Sequence, residues 1–255
     1  MASVCIVGKK GSAAKLTIAR ETPITLYKKT KSPDAIVNYG LVGAALTRAL
    51  PKNVLTGTPI INKYIGRSKY LSVKDAEQAG ILVPESRLSL PASAKLSDWI
   101  EKKLHSYQGK GIQQARGRGK IASKYYQKMV KNRRFELRVH AFSWLPVDEW
   151  ILHKRMGPSD QIAWNFHQGG HFQSVHYPDK YKVFKEAKDV AEKILKIRSM
   201  AFGAVDLIVD NDMQVFFIEI NSSPGFTEFS APIYIKAMTA LTNLSKVQLR
   251  RIGNV

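Results

Sequence analysis

The sequence predicts a mixed α/β (α+β) fold, on three observations. Short apolar runs of strand composition open the chain, at 2–8 (ASVCIVG) and 34–40 (DAIVNYG). From Trp99 to Arg155 the chain breaks into further strands separated by glycine-rich and proline-containing turns. Beyond that, an amphipathic helical pattern gives way to two apolar strands, each interrupted by one acidic residue.

Taken in order, 2–8 and 15–20 (KLTIAR) read as short strands around a glycine-containing turn, and with 34–40 they make a small N-terminal α/β lobe. In 68–80, Leu71, Val73, Ala76 and Ala79 fall at near-helical spacing. Gly80 is a natural stop and ILVPES an extended exit. Strands follow near DWIEKKL, at KYYQKMV, and at FELRVHAFSW and VDEWILHKR, the last two as an antiparallel pair around a turn containing Pro146. Residues 181–200 place Phe184, Ala187, Ala191, Ile194 and Leu195 on one side of a helix, with lysines facing water. GAVDLIV and VFFIEIN form a hairpin through NDMQ, and an apolar helix near 231–243 closes the domain. No repeat, heptad or low-complexity segment interrupts this order.

A chain of 255 residues accommodates one large domain or two to three small lobes, each with a core. Its apolar runs are too short to span a bilayer, and MASVCIVGKKG lacks a signal-peptide core, so the reading is an intracellular, cytoplasmic protein without a membrane partner. The single cysteine, Cys5, excludes an intrachain disulfide framework and a cysteine-based zinc cluster; its apolar surroundings suit a buried structural thiol. The formal net charge of +20 points to an anionic partner, because such a field concentrates anions at the surface. Nucleotide phosphates alone do not require so many cations, which brings a nucleic acid or another polyanion into view beside the plainer role of solubility.

The chemistry concentrates in GAVDLIVDNDMQVFFIEINSSPGF, where Asp206 and Glu219 sit within hydrophobic strands. Buried carboxylates need compensation. A divalent cation supplies it, with Asn221, two residues on and so on the same strand face as Glu219, as a third hard oxygen ligand; the other solution is an Arg or Lys from a neighbouring strand.

EINSSPGF (219–226) is similar to the metal-binding end of ATP-grasp ligases, particularly the RimK-type ribosomal-protein glutamate ligases, where E-x-N-S-S-P-G follows a strand bearing an Asp. WNFHQGG (164–170) resembles the N-x-H-x-G-G segment of that branch, FELRV (135–139) its D-x-R strand, and 62–86 the helix that carries an ATP-binding lysine. The four matches occur in family order. They imply an ATP-grasp fold of two lobes closing on ATP, divided as a short N-terminal lobe at 1–58, a lobe with flap and hinge at 59–130, and a C-terminal Mg-ATP lobe at 131–255.

The resemblance also implies roles for single residues. Asp206, Glu219 and Asn221 would hold Mg²⁺, as two ions for which Mn²⁺ could substitute. Lys69 and Lys103 look like the two lysines on the ATP phosphates or adenine edge. Gln108, Gly109 and Gly111 resemble the glycine-rich flap, whose backbone N–H groups approach oxygen closely; no Walker A motif is present. Gln127, Lys128 and Val130 lie where the family reads adenine with its hinge, and Asn165 beside the phosphates, with Gly169 and Gly170 allowing a close turn. Arg138 and Arg155 look like the phosphate and acyl-phosphate arginines, with Glu136 in place of the usual Asp and able to orient Arg138. The implied activity is ADP-forming carboxylate–amine ligation through an acyl phosphate, joining an amino acid or other small carboxylate or amine, with an acidic macromolecule as acceptor. Such a compact ligase would suit a bacterium or its virus. The alternatives are an ATP-grasp kinase, or a nucleic-acid-binding protein in which residues 107–134 form a basic strip with tyrosines interleaved for stacking.

Overall fold

The computed structural model describes residues 1–29, 32–63, 65–66, 68–105, 111–158, 162, 164, 171–175 and 181–253. The chain opens on a four-stranded parallel sheet, with β1 (Val4–Gly8), β2 (Thr25–Leu26), β3 (Ala35–Tyr39) and β4 (Ile60–Ile61) in the order β2-β1-β3-β4. Its connections carry α1 (Ala13–Glu21), α2 (Ala44–Ala49) and α3 (Lys52–Gly57).

KLTIAR is therefore not a strand but the body of α1. Parallel neighbours need a crossover, and a helix is the usual one. Ser12 caps it by accepting from the Lys15 amide, and only Ala14 and Ile18, one turn apart, are buried. Leu16, which made the segment look alternating, faces solvent.

α4 (Lys69–Gln78) follows as expected, capped by Ser68 accepting from the Leu71 amide and followed by Gly80 at φ +74°. Its buried side is Ser72, Val73 and Ala76; Leu71 is exposed. A second, antiparallel sheet combines β5 (Ser86–Arg87), β6 (Trp99–Lys103), β7 (Gln113–Gln114) and β8 (Lys124–Lys128) in the order β5-β8-β6-β7.

The third sheet is the largest: β9 (Arg133–Phe142), β10 (Ile151–Met156), β11 (His171–Ser174), β12 (Phe202–Asp210) and β13 (Val215–Asn221), antiparallel in the order β11-β10-β9-β12-β13. Strand alternation gives it two unlike faces. Leu137, Val139, Leu152, Val205, Leu207 and Phe217 pack with Ala187, Ala191, Ile194 and Leu195 of α5 (Lys182–Ile197), as the helical periodicity required. Lys188 departs from that pattern: it is buried and donates to the Asp148 carbonyl.

α6 (Ala231–Thr242) and α7 (Lys246–Gly253) return to the first sheet. Tyr234, Met238, Leu241 and Leu249 share a core with Ile6, Ile18, Val37 and Phe202. Cys5 is buried within this sheet. A buried amide joins the first sheet to the third. Asn62, at φ +60°, accepts from the Ala201 amide at 2.7 Å and donates to the Phe202 carbonyl at 2.9 Å, while Asn38 donates to the Asn62 carbonyl. Among the described residues no helix is long and apolar enough to cross a membrane.

Candidate active site

The face of the large sheet turned away from α5 carries the ionic residues. The register sets Glu136 opposite Arg155, Arg138 opposite both His153 and Asp206, and Asp206 opposite Glu219. A bulge makes the last pairing possible. Leu207 pairs with Phe217 while Asp206 pairs with Glu219, so Ile218 is the extra residue and strand parity flips there. Phe217 can thus sit in the core while Glu219 and Asn221 share the opposite face with Asp206.

These side chains form a ladder of alternating charge. Arg133 and Arg155 both donate to Glu136, at 2.9 and 2.8 Å. Arg155 also lies 3.7 Å from Asp206, which accepts two bonds from Arg138, at 2.6 and 2.8 Å. Asn221 Nδ2 donates to Asp206 at 3.0 Å and to Glu219 at 3.3 Å, and Glu219 is paired with Lys69 at 2.6 Å. Lys69 occupies the first turn of α4, where a cation opposes the helix dipole; Glu219 compensates for that placement. Burial works against ionisation of both Arg138 and Asp206, but their mutual attraction outweighs it. The guanidinium is held protonated, and the carboxyl stays below its ordinary range. Glu136 orients Arg155 and Arg133 and does not reach Arg138, whose partner is Asp206; the expectation that Glu136 would orient Arg138 is corrected.

The ladder floors a cavity of about 930 Å³ to which all three sheets contribute. Lys9, Ser12 and Tyr39 come from the first sheet and its β1–α1 loop, and Ile100, Lys102 and Gln127 from the second. Gln127 is buried, accepts from Lys102 Nζ at 3.0 Å and donates to Ser86 at 3.1 Å, and the following Lys128 and Val130 also line the cavity. Lys102 is buried, and burial lowers its pKa against the attraction of Glu219, Glu136 and Asp206.

Lys103 points the other way. It is exposed, and its aliphatic stem lies against Gly111, where an added Cβ would come within 2.8 Å of Lys103 Cε. Gly111, at φ +83°, stands beside the cavity, which is lined by its neighbour Ile112. Of the adjacent pair, Lys102 lines the cavity and Lys103 does not, and strand alternation held the clue, because Ile100 and Lys102 share a face that Lys103 does not. Gln108, Gly109, Asn165, His167, Gly169 and Gly170 lie outside the described residues. His171, at the start of β11, is exposed.

Sequence reading also missed the layer beneath Arg138. His140 Nδ1 is 3.1 Å from the Tyr234 hydroxyl, and the two histidine rings meet edge to face at 5.0 Å. Burial pushes both histidines down, His153 to about 4. The loop after β13 is fixed from the first sheet: Tyr39 donates to the Pro224 carbonyl at 2.6 Å, and Ser223 packs on Gly40 (φ +87°) where a side chain would collide.

The donor set fits a small divalent cation. Asp206, Glu219 and Asn221 meet within hydrogen-bonding distance on the cavity floor, Asn221 through its Nδ2; with that amide turned so that Oδ1 faces the carboxylates, the set would offer two carboxylates and one amide oxygen, the pattern of a Mg²⁺ site completed by substrate phosphates. Both carboxylates hold cationic side chains here, so the compensation for their burial that the structure shows is the Arg/Lys one.

The sequence family described as D-ala D-ala ligase C-terminus matches residues 172–242. A search of curated protein sequences gave no match. Three solved structures are similar over nearly the whole chain. The D-alanine–D-alanine ligase from Bacillus anthracis complexed with ATP has a TM-score of 0.65 at 14% identity, covering 98% of this chain and 99% of that one. The ATP-grasp ligase PsnB complexed with minimal precursor has 0.61 at 15%, covering 95% and 98%. The macrocyclase MdnC bound with precursor peptide MdnA from Microcystis aeruginosa MRC has 0.60 at 12%, covering 96% and 100%. The chain has the fold of these ligases, the ATP-grasp fold.

Proposed function

We propose that the protein is an ATP-dependent carboxylate–amine ligase, ADP-forming, working through an acyl phosphate. The observation that carries this reading is the convergence of Asp206, Glu219 and Asn221 with Arg138 and Arg155 on the floor of one cavity walled by three sheets. In the lobe division 1–58, 59–130 and 131–255, ATP lies between the second and third lobes, with adenine at Gln127–Val130 and the phosphates toward Lys102 and Lys69. Asp206, Glu219 and Asn221 would hold Mg²⁺, which when bound neutralises phosphate charge.

A substrate carboxylate oxygen attacks the γ-phosphorus, and the bond to the β-bridging oxygen breaks to release ADP. An amine then attacks the acyl carbon, and phosphate leaves with the acyl C–O bonding pair as the amide forms. Arg138 and Arg155, fixed by Asp206 and Glu136, stabilise the charge that develops on phosphoryl and acyl oxygens. No protein nucleophile is required. The flap role that the sequence resemblance gives to Gln108, Gly109 and Gly111 would be to keep water from the mixed anhydride.

The test is ADP release from Mg-ATP against a panel of amino acids, each with and without a protein or nucleic-acid acceptor, with products weighed by mass spectrometry and Glu219→Ala run in parallel. Release that needs both carboxylate and amine, yields a water-loss adduct and disappears in the variant supports the ligase. A phosphorylated product that accumulates unchanged in the presence of amines identifies a kinase instead. Of the tyrosines in the basic strip of the nucleic-acid reading, Tyr125 and Tyr126 are buried and cannot stack on bases, and Tyr107 lies outside the described residues.

A further inference from the structure

The charge of the chain is unevenly placed. Between residues 87 and 134 there are thirteen Lys and Arg and two acids, so this stretch carries +11 of the net +20. Both acids are already committed: Asp98 is paired with Lys131 at 2.7 Å, and Glu101 with Lys124 at 2.8 Å. Solubility would be served by an even spread; ten of these thirteen cations fall before residue 131, on and around the second sheet.

Its most exposed part is the RGRGK segment that follows β7. Arg116, Arg118 and Lys120 are exposed, alternate with Gly117 and Gly119, and form no ion pair with any described residue. Where the two glycines lack a Cβ there is open space, so nothing stands between the cations. The backbone beneath them is pinned. The Arg116 amide donates to Glu101, Leu90 N–H to the Arg118 carbonyl and the Tyr126 hydroxyl to the Gly119 carbonyl, while Arg118 itself donates to the Ala94 carbonyl. Cations on a fixed backbone lose less freedom on binding than cations on a loose loop. The segment is continuous with Ile112 and Gln114, which line the cavity, so a chain lying along it arrives at the cavity mouth.

We propose that Arg116, Arg118 and Lys120 form a docking surface for an acidic polypeptide segment, which it guides along β7 to the cavity. An acidic polypeptide is favoured over a nucleic acid on two grounds. The aromatic side chains described in this stretch, Trp99, Tyr125 and Tyr126, are buried and offer bases no stacking platform. A polypeptide also carries the carboxylates and amines that the cavity would join, and on this second ground the inference rests on the ligase reading.

The experiment measures anisotropy of a fluorescein-labelled decaglutamate peptide, a neutral Gly/Ser peptide of equal length and a single-stranded ten-nucleotide DNA on the full chain. The Arg116→Glu/Lys120→Glu variant, which leaves the Arg118 tether in place, is set against Lys182→Glu/Lys193→Glu on the exposed side of α5. Expected is salt-sensitive binding of decaglutamate, none of the neutral peptide, and a loss of about tenfold or more in the first variant only. Equal losses in both variants, or none in either, overturn the surface. DNA binding as tightly as decaglutamate and losing as much in the first variant overturns the choice of partner. ATP binding, measured separately, keeps the two readings apart: peptide docking without ATP binding sinks the ligase and leaves the surface, whereas ATP binding without docking does the reverse.

Discussion

Replacing Lys69 by methionine removes one member of a pair in which both side chains are more than four-fifths buried and the charges meet at 2.6 Å. In a medium of intermediate polarity such a contact amounts to about 6 kcal/mol of attraction before desolvation is counted. Removing one partner of a buried pair costs about 3–5 kcal/mol, because the other charge is left uncompensated. The residual exposure of Lys69 and Glu219 places the expected loss near the lower end, about 3 kcal/mol. For a chain of this size that is a fall in Tm of roughly 6–12 °C. If Glu219 is a metal ligand, a divalent cation takes over the compensation that Lys69 provided, so the deficit belongs to the metal-free protein. Thermal unfolding in EDTA should show the full loss for Lys69→Met, and unfolding in excess magnesium chloride should recover more than half of it, while the parent protein gains little. An equal deficit in both buffers refutes the assignment of Glu219 to the metal and leaves the pair as a plain structural ion pair.

Four further outcomes follow from named contacts. His153 is buried and neutral with a pKa of about 4, so the unfolded chain takes up a proton that the folded one refuses between pH 6.5 and 4; stability falls through that window as pH drops, and urea titrations of His153→Gln should show about 3 kcal/mol less of that fall. Glu101 behaves in the opposite charge sense. Burial opposes its ionisation, but the Arg116 amide, Lys124 and Gln113 hold it at about 2, so its contribution is complete above pH 4.5 and lost toward pH 2; Glu101→Gln should lower stability at pH 7 by about 2 kcal/mol and nearly nothing at pH 2, and protease nicking near β7 should accelerate. Gly40→Ala drives a methyl into Ser223 at a backbone angle that disfavours any side chain. It should cost about 2 kcal/mol, whereas Tyr39→Phe, which leaves the Pro224 carbonyl without its donor, should cost about 1–2 kcal/mol, both measured by chemical unfolding.

The large sheet and α5 were legible because their apolar periods are long and regular, and the same alternation placed Glu219 and Asn221 on one face before any coordinates. What pairs with them was not legible. Arg138 meets Asp206 through a strand register spanning 68 residues, and the bulge at Ile218 that turns Glu219 toward the cavity leaves no mark in composition. Local ambiguity misled at α1, where Leu16 and Ile18 mimic alternation, and at Lys103, where two adjacent lysines differ only in the face that strand parity assigns them. Lys188 shows a third limit: a lysine in a helical repeat reads as solvated, and only packing shows the Asp148 carbonyl that receives it. Among the described residues, the carboxylates and arginines that line the cavity were singled out by the sequence, and the histidines beneath them were not, because a buried histidine has no pattern of its own.

The return of α6 and α7 to the first sheet has a consequence for biosynthesis. Ile6 and Val37 leave the ribosome early, but the side chains that cover them, Met238, Leu241 and Leu249, follow about 200 residues later. At translation rates of about 5–20 residues per second, the first sheet waits on the order of 10–40 seconds with that side covered only in part, by Ala14 and Ile18 of α1. During that interval the nascent chain exposes a parallel sheet edge and an apolar face together, the combination most open to chaperone capture and to pairing with a neighbouring nascent chain. The first sheet is thus finished only when α6 and α7 have followed it.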